Sequence, residues 1–133
     1  MSAVLIDSNV LLDLLTVSPK WEAWSATALT QAAARTRVVI NVVVYAEISV
    51  TYDRIELIDE ALPEVVEREQ IPFEAGFLAG KAFRRYRSHG GPKLSLLPDF
   101  LIGAHAAVSG YEILTRDPAS YRTYFPSVPL IAP

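Results

Sequence analysis

Near its N-terminus the chain reads AVLIDSN, residues 3–9. The continuous apolar run predicts a short strand buried on both faces, and the polar residues after it predict a helix capped by Ser8 or Asn9. Apolar runs at 37–41, 111–115 and 129–132 predict three more strands, and 71–73 predicts a weaker one. Strands that alternate with helices favour a parallel sheet. We therefore expect an α/β fold, a three-layer α/β/α arrangement around a central parallel sheet of about five strands.

Helical periods occupy most of the remaining sequence. They predict helices at 10–15, 19–32 (with Ser18 as its cap), 42–50, 74–87 and 100–109, and an amphipathic segment at 54–69 that Pro63 interrupts. Gly110 predicts the end of the helix that begins near Asp99. Because no repeat, linker or low-complexity segment divides the sequence, we expect a single domain over residues 1–133.

The composition excludes several kinds of site. The 133 residues include no cysteine and two histidines that are far apart, which excludes a thiol nucleophile and disfavours a zinc site built from imidazole or thiolate. Polar residues interrupt every apolar run well before the roughly 20 positions that a membrane span requires. The N-terminus has no pattern typical of a signal peptide, so we expect a cytoplasmic protein without membrane contact.

Four acidic residues stand where a common site can form. Asp7 comes directly after the first predicted strand, and Asp117 lies two residues beyond the fourth. Glu47 lies in the helix after the second strand, and Asp99 begins the helix that leads into the fourth. Ligands of open α/β sheets bind beyond the carboxyl ends of the strands, so these acids can converge on one crevice. Clustered carboxylates repel one another and need a cation, and oxygen ligands select Mg²⁺ or Mn²⁺. This pattern predicts phosphoryl transfer or phosphodiester hydrolysis.

Three of these acids also have ordinary structural interpretations. Asp7 can cap a helix, Asp99 is a favourable first-turn acid, and Asp117 can be a turn residue before a proline. Glu47 interrupts the apolar face of a helix that should be buried, which favours a functional interpretation. Small polar residues beside the acids are suited either to orienting a carboxylate or water, or to caps and turns: Ser8, Asn9 and Thr115.

Two other polar residues have mainly structural interpretations. Asp13 is surrounded by leucines, and we expect it on the polar face of the first helix. His105 lies six residues after Asp99, which is more than one and a half helical turns, so we expect it to pack and not to bind a metal.

Positive charge is concentrated in one part of a chain whose formal net charge is −3. Between positions 81 and 93 there are five basic residues and no acid, which suits a polyanionic ligand held beside a carboxylate site. A solvated helix face is the alternative interpretation. We predict phosphate contacts, with Tyr86 available for stacking on a base, at these five positions: Lys81, Arg84, Arg85, Arg87 and Lys93.

Four blocks of the sequence together resemble one known family. They are DSNVLL at 7–12, YAEI at 45–48, LPDFLIGAHA at 97–106 and LTRD at 114–117. In this order the blocks are similar to those of the PIN-domain ribonucleases, specifically the VapC toxins of bacterial type II toxin–antitoxin systems. The resemblance covers essentially the whole chain.

The resemblance implies a PIN-like fold and an endoribonuclease that depends on Mg²⁺ or Mn²⁺. It implies a homodimer, a small cognate VapB-type antitoxin that blocks the acidic crevice, and a structured RNA substrate such as transfer or ribosomal RNA. It also implies that Thr115 and Ser8 or Asn9 support the site. From the sequence alone, the position of Arg116 beside the acids predicts a contact with either RNA or antitoxin. The catalytic and metal-binding acids implied by the resemblance are Asp7, Glu47, Asp99 and Asp117.

Two other kinds of protein place acids on a similar sheet. A haloacid-dehalogenase-like phosphatase has a second acid two residues after the first, where this chain has Asn9. A receiver-like signalling domain has an acceptor aspartate after a central strand, whereas the second predicted strand ends at Asn41. Both are alternatives as phosphoryl-transfer domains with an acidic Mg²⁺ pocket, and both fit less well than a nuclease.

Overall fold

The structure, a computed structural model, describes residues 2–94 and 96–133. In this part of the chain, five strands form one parallel sheet with helices on both faces, which confirms the expected α/β/α fold. The strands are β1 (Ala3–Ile6), β2 (Arg37–Ile40), β3 (Val66–Arg68), β4 (Glu112–Leu114) and β5 (Leu130–Ile131). The helices are α1 (Ser8–Leu15), α2 (Glu22–Arg35), α3 (Val42–Ser49), α4 (Ile55–Ala61), α5 (Phe73–Ser88), α6 (Pro98–Ser109) and α7 (Ala119–Tyr124).

The strand order is β3-β2-β1-β4-β5, with β1 fully buried at the centre. The chain first adds β2 and β3 on one side of β1, then returns and adds β4 and β5 on the other side. Leu5 therefore pairs with both Val39 and Ile113, and the Asp7 N–H donates to the Leu114 carbonyl at 2.9 Å. Because the order reverses between β1 and β4, a ligand crevice is expected beyond the carboxyl ends of these two strands.

Apolar helix faces cover the two sides of the sheet. Helix α1 packs against α2 and α3, and α6 packs against α5 and α7. A close approach occurs at Gly103 in α6, where a Cβ atom would lie 2.3 Å from the Phe125 ring. Gly110 adopts a left-handed conformation with φ +71° and ends α6 as predicted. No helix in the described residues is both long enough and apolar enough to cross a membrane.

The prediction of the third strand was wrong. The strand lies at Val66–Arg68 and not at 71–73, and it pairs only with β2 at the edge of the sheet. Glu67 and Arg68 are exposed, so an edge strand of this kind has no continuous apolar run to reveal it. The amphipathic segment that was predicted over 54–69 is helical only as far as Ala61, two residues before Pro63.

Two other local predictions were also wrong, and one helix was not predicted. Asp7, and not Ser8 or Asn9, caps α1. The second helix begins at Glu22, three residues later than predicted. Helix α7 was not predicted, because its six residues are too few to show a helical period.

Candidate functional site

Asp7 lies at the carboxyl end of β1, at the point where the strand order reverses. Its Oδ1 accepts a hydrogen bond from the Ser8 N–H at 2.8 Å. Its Oδ2 accepts hydrogen bonds from the Thr115 and Tyr121 hydroxyls, both at 2.9 Å, and from Asn9 Nδ2 at 3.3 Å. The carboxylate is thus held by α1, by the segment after β4 and by α7.

The surroundings of Asp7 disfavour its negative charge when no cation is present. Asp7 is only 5% exposed, and this burial raises the pKa of its carboxyl. The nearby negative charge of Asp99 raises the pKa further, whereas hydrogen bonds from Thr115, Tyr121 and Ser8 lower it. A cation beside Asp7 would compensate for both the burial and the repulsion.

Glu47 approaches this site from α3. The Ser8 hydroxyl donates to Glu47 Oε1 at 2.9 Å, which connects the glutamate to the first residue of α1. Partial burial raises the pKa of Glu47, the hydrogen bond from Ser8 lowers it, and the charges of Asp7 and Asp99 raise it. The sequence-based interpretation of Glu47 as a polar residue on an apolar helix is consistent with this half-buried position.

Asp99 lies in the first turn of α6, as predicted. The Ser120 hydroxyl of α7 donates to its Oδ2 at 2.9 Å. The charge of Asp99 raises the pKa values of Asp7, Glu47 and Tyr121, although for each of these three groups burial is the larger cause. Three of the four predicted acids, Asp7, Glu47 and Asp99, therefore lie close enough for their charges to interact.

Asp117 is less closely integrated than the other three acids. It is exposed, and its backbone N–H donates to Thr115 Oγ1 at 3.0 Å. Among the described residues, no hydrogen bond involves its carboxylate. The predicted role of Asp117 therefore depends on the position of Thr115, whose hydroxyl also contacts Asp7.

The donor atoms of the crevice fit a hard cation. Across residues 2–94 and 96–133, no group of three or more His, Asp or Glu side chains is arranged to enclose a metal ion. Mg²⁺, however, usually binds through one or two carboxylates and keeps several waters. Asp7 Oδ1 accepts only one hydrogen bond, so one lone pair of this oxygen stays available, and Asp99 and Glu47 supply further oxygen ligands.

Two residues of the site were missed in the sequence, Tyr121 and Ser120 of α7. Tyr121 is fully buried, and burial together with the charges of Asp7 and Asp99 raises its pKa well above the usual value of 10. The hydroxyl therefore stays protonated and acts as a donor. The one available signal was a tyrosine shortly after the LTRD block, which without the fold has no evident partner.

His105 is buried and bridges two helices of the site, as expected for a residue that packs. Asn41 caps α3, because its Oδ1 accepts from the N–H groups of Val43 and Val44 at 3.0 and 3.1 Å. Its Nδ2 consequently points to His105 Nδ1, at 3.1 Å, and His105 Nε2 donates to Glu69 Oε2 at 2.9 Å. The imidazole thus connects α6, which carries Asp99, to the cap of the helix that carries Glu47.

The predicted phosphate-contacting residues lie on α5 and the loop after it, and all five are exposed. The end of α5 approaches the acids, because Arg85 donates to the Tyr124 carbonyl at 3.0 Å and α7 also holds Asp99 through Ser120. Arg87 donates to the carbonyls of Gly91 and Lys93 at 2.8 and 3.1 Å. The Arg84 side chain makes no hydrogen bond or ion pair to any other described residue.

The interpretation of Tyr86 as a stacking residue was wrong. Its ring packs against Phe83, Phe100 and Tyr124, with ring centroids 5.6–6.2 Å apart. Its hydroxyl accepts a hydrogen bond from the Lys93 N–H at 3.2 Å. Tyr86 therefore belongs to an aromatic cluster beneath the basic residues.

The interpretation of Asp13 as a solvent-facing residue was also wrong. Asp13 is 2% exposed and forms an ion pair with Arg116. Leucines on both sides of Asp13 along the chain obscure the helical period, so the sequence does not reveal which way its side chain faces. Arg116, which we expected to contact RNA or antitoxin, has its guanidinium committed to this internal contact.

Comparison with known proteins points to one family. The PIN domain family model matches residues 4–126 of the chain. No curated protein gives a significant match. Among solved structures, VapBC2 from Rickettsia felis, bound to a promoter DNA fragment, has a TM-score of 0.75 at 17% identity, covering 99% of this chain and 98% of that chain. DNA-bound VapBC from Salmonella typhimurium has a TM-score of 0.73 at 15% identity, with the same coverage of 99% and 98%.

A toxin–antitoxin complex from Klebsiella pneumoniae has a TM-score of 0.66 at 23% identity and covers 95% of each chain. Identities this low show a common fold alone. The family match extends over nearly the whole chain and includes all four predicted acids, from Asp7 to Asp117. The chain therefore belongs to the PIN-domain family.

Proposed function

We propose that this protein is a metal-dependent endoribonuclease that acts as the toxin of a VapBC-type toxin–antitoxin pair. Membership of the PIN-domain family, a family of nucleases, supports a hydrolase acting on nucleic acid. The observation that carries the proposal is the buried Asp7 carboxylate beyond the ends of β1 and β4, whose pKa is raised by burial and by the charge of Asp99. The charges of Asp7 and Asp99 in turn raise the pKa of Glu47. Such an arrangement is costly for stability and is typical of a functional site.

Asp7 and Asp99 are the principal proposed ligands of a Mg²⁺ or Mn²⁺ ion, and Glu47 and Asp117 complete the site. When bound, such an ion supplies Lewis-acid activation of the phosphodiester and neutralises negative charge. The chain itself positions the carboxylates. Ser8 holds Glu47, Ser120 holds Asp99, and Thr115 and Tyr121 hold Asp7.

The exposed basic residues at the end of α5 are proposed to bind the RNA backbone. They lie beside α7 and the start of α6, so phosphates that they contact are near the acids. Backbone contacts of this kind position a nucleic acid without reading its sequence. We propose a structured RNA, such as transfer or ribosomal RNA, as the substrate, and we place its cleavage in the cytoplasm.

The proposed partners follow from the similar structures. Three of them are described as VapBC or toxin–antitoxin complexes. We propose that a small VapB-type antitoxin covers the acidic crevice of this chain and that the chain forms a homodimer. Purification after co-expression with the small protein encoded next to it tests the first point, since a stable complex without ribonuclease activity is expected. The second is tested by light scattering of the purified chain.

The central test is RNA cleavage by the purified protein. Total RNA and single-stranded DNA are incubated with Mg²⁺, with Mn²⁺ or with EDTA, using the wild type and the Asp7→Asn and Asp99→Asn variants. We expect RNA cleavage that requires the metal and falls by at least about 100-fold in both variants, because removing a ligand costs more than the 10- to 100-fold typical of its outer partners.

Glu112→Gln is the matched control, since it neutralises an acid at the start of β4 that pairs with Arg35 away from the crevice. Its cleavage rate is expected to stay within about twofold of the wild type. Cleavage that persists in EDTA, or that survives Asp7→Asn, contradicts the metal-dependent mechanism. Cleavage of DNA in preference to RNA contradicts the proposed substrate.

A further inference from the structure

Asp13 and Arg116 form a two-bond ion pair that joins α1 to the segment after β4. Arg116 Nε donates to Asp13 Oδ2 at 2.7 Å, and Nη2 donates to Oδ1 at 3.0 Å. From α2, the Ser25 hydroxyl donates to Asp13 Oδ2 at 2.7 Å, and the Trp21 ring centre lies 5.2 Å from the Arg116 guanidinium carbon. The buried carboxylate is therefore fully partnered, and the guanidinium plane is held between two helices.

Stability alone does not account for this pair. Asp13 is buried and the Arg116 side chain is 29% exposed. The desolvation of the carboxylate offsets much of the attraction, so such a pair stabilises a fold little compared with apolar residues of similar size. The pair instead fixes geometry, because the two parallel hydrogen bonds allow one orientation of the Arg116 guanidinium relative to the Asp13 carboxylate. That orientation fixes the positions of the two residues on either side of Arg116 in the chain.

The two residues that the Asp13–Arg116 pair positions are Thr115 and Asp117, the neighbours of Arg116 in sequence. Helix α1 holds this segment at two points one turn apart. At Asn9, Oδ1 accepts the Arg116 backbone N–H at 3.1 Å, while Nδ2 donates to Thr115 Oγ1 at 3.3 Å. At Asp13, the side chain of Arg116 is fixed. Between these points the Thr115 hydroxyl donates to Asp7 and accepts the Asp117 N–H.

We propose that Asp13 and Arg116 are positioning residues of the nuclease site. Their pair holds residues 115–117 against α1, so that Thr115 orients the Asp7 carboxylate and Asp117 stands beside it. Arg116 then acts inside the protein and not as a contact to RNA. This inference rests on the proposed function, because it concerns the acids of the same crevice.

The first test needs neither RNA nor cleavage. Amide hydrogen exchange of residues 116 and 117 is measured by NMR for the wild type, Arg116→Lys and Asp13→Asn. Lysine keeps the charge but loses the two-bond fork, and asparagine keeps the shape but loses the charge. We expect both variants to speed exchange of these two amides by about tenfold and to weaken Mn²⁺ binding by about 10- to 100-fold in calorimetric titration.

The second test separates positioning from RNA binding. If Arg116 positions the acids, Arg116→Lys and Asp13→Asn lower kcat by about 10- to 100-fold with little change in KM. The double variant should then be no worse than the poorer single variant, because both changes break one contact. If Arg116 instead binds phosphate, Asp13→Asn leaves kcat intact, and Arg116→Ala raises KM and flattens the salt dependence of RNA binding.

Arg35→Lys is the matched control, because Arg35 pairs with Glu112 at 2.8 Å far from the acids. All measurements are made well below the melting temperature of each variant. If Asp13→Asn does not fold, Arg116→Lys and Ser25→Ala still test the pair, since the buried Asp13 carboxylate keeps a positively charged side chain beside it in both variants. The inference would be overturned if Arg116→Lys had the same amide exchange, Mn²⁺ affinity and kcat as the wild type.

Failure of the proposed function has a different signature. A wild type that neither binds Mn²⁺ nor cleaves RNA contradicts the nuclease proposal. Faster amide exchange in the variants would still support the positioning of residues 115–117. Conversely, an active wild type with unaltered exchange in both variants retains the nuclease function and contradicts the positioning role.

Discussion

Tyr121 shows how much of the site depends on one hydroxyl group. It is among the largest fully buried side chains in the described part of the chain, yet it ends at a carboxylate. Burial and the neighbouring acids raise its pKa well above the usual value, so the phenol remains a hydrogen-bond donor at every pH of interest. An aromatic residue that would otherwise only fill the core therefore also fixes Asp7.

Replacing Tyr121 with phenylalanine removes this donor and keeps the packing of the ring. We expect a 10- to 100-fold loss of Mn²⁺ affinity and a loss of about 1 kcal/mol in the free energy of unfolding, because Asp7 Oδ2 keeps its other two donors. Calorimetric titration and urea denaturation measure the two effects. Tyr124→Phe on the same helix is the control, since no hydrogen bond within the described residues involves that hydroxyl.

A polar network around Glu69 connects helix α6 to the cap of helix α3. Oε2 of this residue accepts from His105, and Oε1 accepts from the Tyr111 hydroxyl at 2.8 Å and from Arg37 at 3.1 Å. Burial raises the pKa of Glu69, but these hydrogen bonds outweigh burial and leave the pKa below its usual value of 4.5. The network joins β2, β3 and α6 to the start of β4.

Glu69→Gln should lower the free energy of unfolding by about 1–2 kcal/mol at pH 7, since the amide offers a donor where Arg37 and Tyr111 also donate. A carboxyl whose pKa is depressed in the folded state stabilises the fold above its unfolded pKa, and this contribution is lost as the pH falls through the folded pKa. The difference in melting temperature between wild type and variant should therefore shrink below pH 4.5.

Glu67→Gln provides the control for this pH profile, because Glu67 pairs with the same arginine but is half exposed, at 52%. Its effect should stay below about 1 kcal/mol, as is usual for surface pairs. A Glu69→Gln difference that stays constant from pH 7 to pH 3 would argue against a depressed pKa in the folded protein.

At the scale of the whole molecule, charge is separated in space as well as in sequence. The chain is acidic, with a net charge of −3, but the exposed end of α5 is basic and lies beside the α7 residues that contact Asp99. A polyanion attracted to the basic surface is thereby brought to the acids. Without the basic surface, the acidic crevice would repel RNA.

Arg84→Ala should weaken binding of a single-stranded RNA and reduce the slope of log K against log salt by about 0.7, the value for one phosphate contact. Binding is measured in the Asp99→Asn background without divalent metal, so that no cleavage occurs. Arg54→Ala is the control, because this exposed arginine precedes α4 and lies outside the basic stretch. An unchanged slope would mean that Arg84 contacts no phosphate and lies on a solvated helix face.

Local sequence determined the elements that bury apolar residues and indicated the candidate acids of the site. The apolar runs of β1, β2 and β4 arise because both faces of a central parallel strand are covered. Asp7 and Asp99 could be predicted as site residues because one follows a strand and the other lies in a first helical turn. The acidic candidate residues and the absence of cysteine favour a hard cation as the proposed cofactor. These features depend on near neighbours in the chain.

Tertiary structure alone decided the features that join distant positions. Edge strand β3 is polar and gained its place by pairing with β2, and Asp13 became buried because Arg116, over a hundred positions later, neutralises it. Tyr121 reaches Asp7 because α7 follows β4, which lies beside β1. The periodicity of a sequence reports which face of an element is buried, whereas the partner of a polar side chain depends on how the sheet is ordered.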